Sequence, residues 1–121
     1  MKQKIKSYED LIVWKKAMDL VIAVYELTNT YPKSEQYGLV SQMRRSTVSI
    51  PSNIAEGYRR GSRKDYRHFL IIAFGSASEL ETQLKISERL SFGNMELYKK
   101  ANDLLNEVLP ILNSIISKLK T

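Results

Sequence analysis

Apolar residues recur three and four positions apart along almost the whole chain, and nowhere do four or more residues alternate polar with apolar between turn formers. A repeat near 3.6 suits a helix with one buried face, whereas a half-buried strand needs a repeat of two. The expected fold class is therefore all-α. Four segments carry the pattern and predict helices over 8–30, 34–60, 63–91 and 95–119. In the first, Leu11, Trp14, Met18, Val21 and Tyr25 form one stripe and Val13, Ala17, Leu20, Val24 and Leu27 a second. This helix is apolar over more than the single face that a monomeric bundle buries. Leu39, Met43, Ile50, Ile54 and Gly57 share a side of the second helix, and Tyr66, Phe69, Ala73, Ala77, Leu80, Leu84 and Ser87 line the third. Leu97, Ala101, Leu104, Val108, Ile111 and Ile115 line the fourth, alternating spacings of four and three.

The punctuation agrees with the pattern. Ser7-x-x-Asp10 and Ser62-x-x-Asp65 are capping boxes, in which a hydroxyl takes an orphan amide and a carboxylate sits at the positive end of the helix dipole. Asn94 is a third cap, following the turn Phe92-Gly93-Asn94. Tyr31-Pro32 closes the first helix, because the residue before proline is pushed out of the α region. Pro51 and Pro110 fall inside the pattern, which continues through both, so a kink is expected at each and not an end. Four helices with short connections predict an antiparallel up-down-up-down bundle.

A chain of 121 residues is expected to form one domain, 1–121. It has no cysteine, which excludes disulfides, a thiolate nucleophile and cysteine-based zinc sites. The longest apolar runs, Leu20 to Tyr25 and Phe69 to Phe74, are six residues long, against the roughly 18 needed to cross a bilayer. The basic amino terminus runs into Glu9 and Asp10 where a signal peptide would be apolar. The reading is cytoplasmic, with no membrane association.

Catalysis finds little to use. The one histidine is His68, and Asp65-x-x-His68 is half of the carboxylate-x-x-His ligand set of di-iron bundles, whose other half is missing. Glu79 and Glu81 point to different sides of a helix. No phosphate-binding glycine loop and no nucleophile-elbow motif occurs. The expectation is a non-enzyme with neither metal nor cofactor.

Gln42, Arg45, Ser49, Asn53 and Glu56 are spaced three, four, four and three, which places five polar groups on a narrow strip of the second helix. A solvated face, a hydrogen-bond network joined to Glu79 and Gln83, and a ligand-binding wall all fit that spacing. Ser46, Thr47, Ser49, Ser52, Ala55 and Gly57, facing Ala73, Gly75, Ser76, Ala77 and Ser78, imply a close approach of the second and third helices.

Charge is distributed unevenly. Residues 44–68 carry seven cations against two acids, whereas 69–121 balance six against six. Within Tyr58 to His68, five cations (Arg59, Arg60, Arg63, Lys64 and Arg67) occupy nine positions, with Tyr58 and Tyr66 interleaved. Six of the seven arginines fall between 44 and 67. Guanidinium grips phosphate bidentately and stacks on bases, and the start of the third helix adds free amides. The run therefore reads as a surface for RNA or DNA, with a solvated turn as the plain alternative. Lys2, Lys4, Lys6, Lys15 and Lys16 make a second basic region.

Four blocks carry a resemblance: Tyr8-x-Asp10-Leu11-x-Val13-Trp14; Tyr31-Pro32-x-x-Glu35-x-Tyr37-Gly38-Leu39-x-x-Gln42-x-Arg44-Arg45; Ser49-Ile50-Pro51-Ser52-Asn53-Ile54-Ala55-Glu56-Gly57; and Gly75-Ser76-x-x-Glu79-Leu80-Glu81-Thr82. Over roughly 8–93 the chain resembles the four helix bundle protein family, whose first members are encoded in intervening sequences of bacterial 23S ribosomal RNA genes. The resemblance implies a bundle that assembles as a homopentameric barrel without enzymatic activity. The chain is also similar to the accessory variability determinant proteins of diversity-generating retroelements, which implies nucleic acid and a reverse transcriptase as partners. The family's shared polar residues fall on Arg44, Arg45, Ser49, Asn53, Glu56 and Glu79, beside Gln42. The first expectation is an oligomeric nucleic-acid-binding bundle; the alternative is an oligomeric scaffold for a protein partner.

Overall fold

A computed structural model describes residues 4–120, and among them there are four α-helices and no strand. The helices are α1 (Ile12–Thr28), α2 (Leu39–Arg59), α3 (Arg63–Arg89) and α4 (Met95–Lys118), with short 3-10 turns at Tyr8–Asp10 and Lys33–Glu35. They form a four-helix bundle in which α1 packs on α2 and α4, and α3 packs on the same two helices. No helix is long and apolar enough to cross a membrane.

Two helix starts differ from the sequence expectation. The Ser7/Asp10 capping box forms, but it caps the 3-10 turn: Leu11 is extended (φ −71°, ψ 127°) and α1 begins only at Ile12. Reciprocal side-chain capping closes one turn completely, and the chain then changes direction, which lets Tyr8 pack edge-on against Trp14 at 5.3 Å. The second helix begins at Leu39, not at 34, because Lys33–Glu35 is a separate 3-10 turn and Gly38 breaks the path (φ −109°, ψ −111°). The Glu35 carboxylate accepts from the Leu39 amide at 3.3 Å and so supplies the cap from that earlier turn. Ser62 and Asn94 cap α3 and α4 as expected, accepting from Asp65 N and Leu97 N at 3.0 Å each.

The core is built from the helical stripes. Val13, Ala17, Leu20, Val24 and Leu27 of α1 are buried, and Ala23 joins them. The other α1 stripe is left at the surface: Trp14 and Val21 are half-buried, and Met18 and Tyr25 are exposed. In α4 the core falls on Ala101, Leu105, Val108 and Leu112, while Leu104 and Ile111 flank it. That apolar face is wider than the single seam read from the spacing, and packing against both α1 and α3 uses its full width.

Helix α2 runs unbroken through the buried Pro51. A proline offers no amide to the Thr47 carbonyl four residues back, and the buried Thr47 hydroxyl also lacks a partner. The close approach of α2 and α3 is tightest at Gly57, where a Cβ would lie 2.7 Å from Phe69 Cβ and 3.2 Å from the Tyr66 carbonyl. Gly75 takes no part in it, being exposed with nothing near its Cβ direction.

Candidate nucleic-acid interface

The start of α1, the α2–α3 connection and the end of α4 meet at one end of the bundle, joined by arginine contacts. Arg59, on the last turn of α2, places its guanidinium over the Tyr8 ring, 5.3 Å from the centroid. Arg63, at the start of α3, donates from Nη2 to the Lys118 carbonyl at 2.5 Å, and Arg67 donates from Nε to the Ile116 carbonyl at 3.2 Å. The last carbonyls of a helix have no amide partners and form its negative pole, so guanidinium groups there satisfy both needs.

The five predicted cations are gathered but not equivalent. Arg59, Arg60, Arg63 and Lys64 are exposed and Arg67 is half-buried. Arg60 pairs with Glu56 at 2.9 Å across one helical turn and lies over the Phe69 ring. Both partners of that pair are about half exposed, so it holds the arginine only loosely. Tyr58 and Tyr66 are half-buried and meet edge to face, with ring centroids 5.9 Å apart. Each is therefore already engaged by the other, and burial, then Tyr58, pushes the Tyr66 phenol above its ordinary value. Tyr8 under Arg59 brings the turn that follows Lys4 and Lys6 to the same end. Lys2 lies outside the described residues, and Lys16 pairs with Glu107 at 3.2 Å.

Two shallow clefts open among these side chains. One, of about 620 Å³, is lined by Arg63, Lys64, Arg67 and Lys120 together with His68 and the apolar Ile71 and Leu119. The other, of about 430 Å³, shares Arg63 and Leu119 with the first and adds Tyr58, Gly61, Ser62 and Tyr66. Leu119 and Lys120 were not read from the sequence as site residues. They lie more than fifty positions from Arg63, in a half of the chain whose charges balance. His68 sits edge-on against Phe69 at 5.3 Å, and among the described residues no three metal-ligating side chains gather.

The polar strip of α2 divides into separate arrangements. Ser49 Oγ and Ser76 Oγ share a hydrogen bond of 2.8 Å, and Asn53 Nδ2 donates back to the Ser49 carbonyl and hydroxyl at 2.8 and 2.9 Å. Deeper in the same interface, the Ser46 hydroxyl donates to Gln83 Oε1 at 2.8 Å, and Gln83 Nε2 donates to Glu79 at 3.3 Å. Ser49–Ser76 and Ser46–Gln83 tie α2 to α3, and the Asn53 and Glu79 bonds brace those groups from within their own helices, which is the network reading. Gln42 and Arg45 are exposed and make no side-chain hydrogen bond among the described residues. Arg44 does something else: it donates to Thr28 Oγ1 at 3.0 Å and Asn29 Oδ1 at 2.9 Å and lies over the Tyr25 ring, so it clasps α1 to α2 at the far end of the bundle.

With this geometry in hand, the profile of the 23S rRNA-intervening sequence protein family matches residues 9–114. The chain belongs to that family. A solved structure from Bacteroides thetaiotaomicron, described as a protein of unknown function from the S23 ribosomal protein family, is similar at 28% identity and a TM-score of 0.78. The match covers 88% of this chain and 96% of that one. No curated protein gives a significant match. Within the matched residues, Ser49 and Gly57 of the SIPSNIAEG block meet α3 directly, and Asn53 braces Ser49 from within α2.

Proposed function

We propose that this intervening-sequence protein is a non-enzymatic, oligomeric bundle that holds RNA or DNA on its basic end, through phosphate contacts from Arg59, Arg60, Arg63, Lys64 and Arg67. The observation that carries the reading is the convergence there of five cations from the α2–α3 connection with Lys118 and Lys120 from the end of α4, against Glu56 and Asp65 beside them and Glu9 and Asp10 on the neighbouring turn. Free cations on one face neutralise phosphate without reading sequence. Binding is expected to be sequence-tolerant, with each phosphate contact adding about 0.9 to the salt slope on duplex.

In this reading the helices alternate in direction and five copies close into a barrel. Ring closure joins two unlike surfaces, and two are available: the stripe Ile12, Met18 and Ile22 on α1 with Val48 of α2, and Ile72, Ile86 and Leu90 on α3, all exposed. A ring repeats the basic end around its axis and adds avidity to weak single sites.

The test is a titration with short RNA and DNA at several salt concentrations, alongside a solution mass. Binding that weakens steeply with salt, on a particle about five times the 14.0 kDa chain, is expected. No binding at low salt, or binding indifferent to salt, rejects the reading. Replacing Arg59, Arg60 and Arg63 by Ala is expected to abolish retention with particle size unchanged; retained binding rejects the assignment of these residues.

A further inference from the structure

We propose that the cleft between α3 and the end of α4 receives the phosphate monoester at the end of a nucleic-acid strand. The inference deepens the reading of the basic end as a nucleic-acid surface and rests on it.

Charge is the first argument. Among the described residues, four permanent cations, Arg63, Lys64, Arg67 and Lys120, line the cleft and no carboxylate side chain does. An internal phosphodiester carries one negative charge, whereas a phosphate monoester carries roughly 1.5 to 2 at neutral pH. Attraction scales with the product of the charges, so a site with several converging cations favours the strand end over any position along the strand.

Preorganisation is the second. The α4 carbonyls of Ile116 and Lys118 hold Arg67 by Nε and Arg63 by Nη2 before any ligand arrives. A guanidinium has five N–H donors in a rigid fork, so each arginine is fixed by one edge and keeps donors for phosphate. Ordering these side chains is then a cost already met within the folded chain.

The third argument is the apolar surface that lines the same cleft as the cations. Ile71 is 44% exposed on α3, and Leu119 lies beside it in the cleft. A backbone crossing a charged ridge has no use for such a patch, whereas a terminal nucleotide brings its sugar and base edge in beside the phosphate. The neighbouring cleft, with Tyr58 and Tyr66, shares Arg63 and Leu119. A strand ending in the first cleft therefore has a continuous path out over the second toward Arg59 and Arg60.

The experiment compares one single-stranded DNA dodecamer in three forms, with a 5′-phosphate, with a 3′-phosphate and with hydroxyls at both ends, by fluorescence anisotropy at fixed salt on the full chain. A terminal phosphate at one end or the other is expected to tighten binding about tenfold, and any preference above about threefold supports the inference. In Ile71→Glu, which sets a carboxylate among the cations, and separately in Lys120→Ala, the ratio of phosphate-form to hydroxyl-form affinity is expected to fall below threefold, with the phosphate forms weakened more than the hydroxyl form. Circular dichroism checks that each variant is folded. Equal affinity for the three forms overturns the strand-end site and leaves the basic-end reading standing; no binding of any form overturns both. A preference that survives in both variants places the phosphate elsewhere and overturns the inference. Binding of a free mononucleotide without any preference among the dodecamers also overturns it, in favour of a small-molecule phosphate site.

Discussion

The two ends of the bundle are closed in opposite ways, and two glycines measure the difference. Gly61, between α2 and α3, and Gly93, between α3 and α4, adopt nearly the same left-handed backbone, with φ of 83° and 85°. A Cβ built on Gly61 meets nothing within 4 Å, whereas on Gly93 it would lie 2.5 Å from Tyr31 Cε1 and 3.1 Å from Leu27 Cδ1. The Gly93 end is interlocked. Tyr31 is buried against Phe92, the Thr30 hydroxyl accepts from the Asn94 amide at 2.9 Å, and Arg44 ties α2 to the last turn of α1. The Gly61 end is joined by guanidinium groups resting on carbonyls and rings, and it stays open to solvent. Where connections cross-pack, the end contributes to stability; where charges gather without burial, the surface is left for a partner.

The sharpest way to break this comparison is to put the same methyl group at both glycines. Gly93→Ala combines a left-handed strain with a collision against a buried ring, and is expected to cost about 3 kcal/mol by denaturant unfolding. Gly61→Ala carries only the backbone strain, about 1 kcal/mol. Equal losses at the two sites would mean that the ends are packed alike. Between these in size is Arg44→Ala, expected to cost about 1.5 kcal/mol, because two hydrogen bonds and a cation–π contact go together. Nucleic-acid affinity in that variant should be unchanged, in contrast to the loss expected on replacing Arg59, Arg60 and Arg63. An Arg44 variant that keeps its stability and loses binding would reverse the assignment of the ends.

The smallest effects are on pH, and they fall on both ends. Burial raises the phenols of Tyr31 and Tyr66 above the ordinary value of 10.0. At Tyr31 the nearby Ser87 hydroxyl offsets part of this, though Ser87 donates to the Gln83 carbonyl and Tyr31 Oη has no hydrogen bond. Neutral phenol is the form the fold prefers, so this contribution is complete below pH 10.0 and is lost as pH rises beyond it. Tyr31→Phe is expected to extend tolerance to base, read as a smaller fall in melting temperature above that pH. At the basic end, the backbone amides of Lys6 and Ser7 hold the Asp10 carboxyl below its ordinary 3.8. The capped turn therefore persists above that pH and loosens as pH falls through the lower folded value. Amide shifts of Lys6 and Ser7 that move well above pH 3.8 in an acid titration would contradict it.

Much of the fold was legible because helical periodicity is a local property. Ser62 and Asn94 cap where the spacing says they should, and Val13 to Leu27 form core as one of two stripes. Two starts were misread for a local reason as well: a capping box can close a 3-10 turn as readily as it opens an α-helix, and Ser34 precedes a turn that Gly38 interrupts. The candidate site was half legible. The run from Tyr58 to Arg67 is contiguous, so its charge density shows in the sequence, but Leu119 and Lys120 join it only through the bundle. Likewise, the polar strip announced hydrogen bonding while leaving open which of its members would be satisfied. Ser49, Asn53 and Glu56 proved to be; Gln42 and Arg45 did not.

By itself, the order of residues determined the helical class, the number of helices and the concentration of arginine in the middle of the chain, because periodicity, capping and charge density depend only on neighbours. Only the tertiary structure decided which α1 stripe is core, which arginine is a clasp and which a free cation, and what stands beside Arg63. Those outcomes depend on what a helix meets across the bundle, and residues more than fifty positions apart become neighbours only when the helices pack.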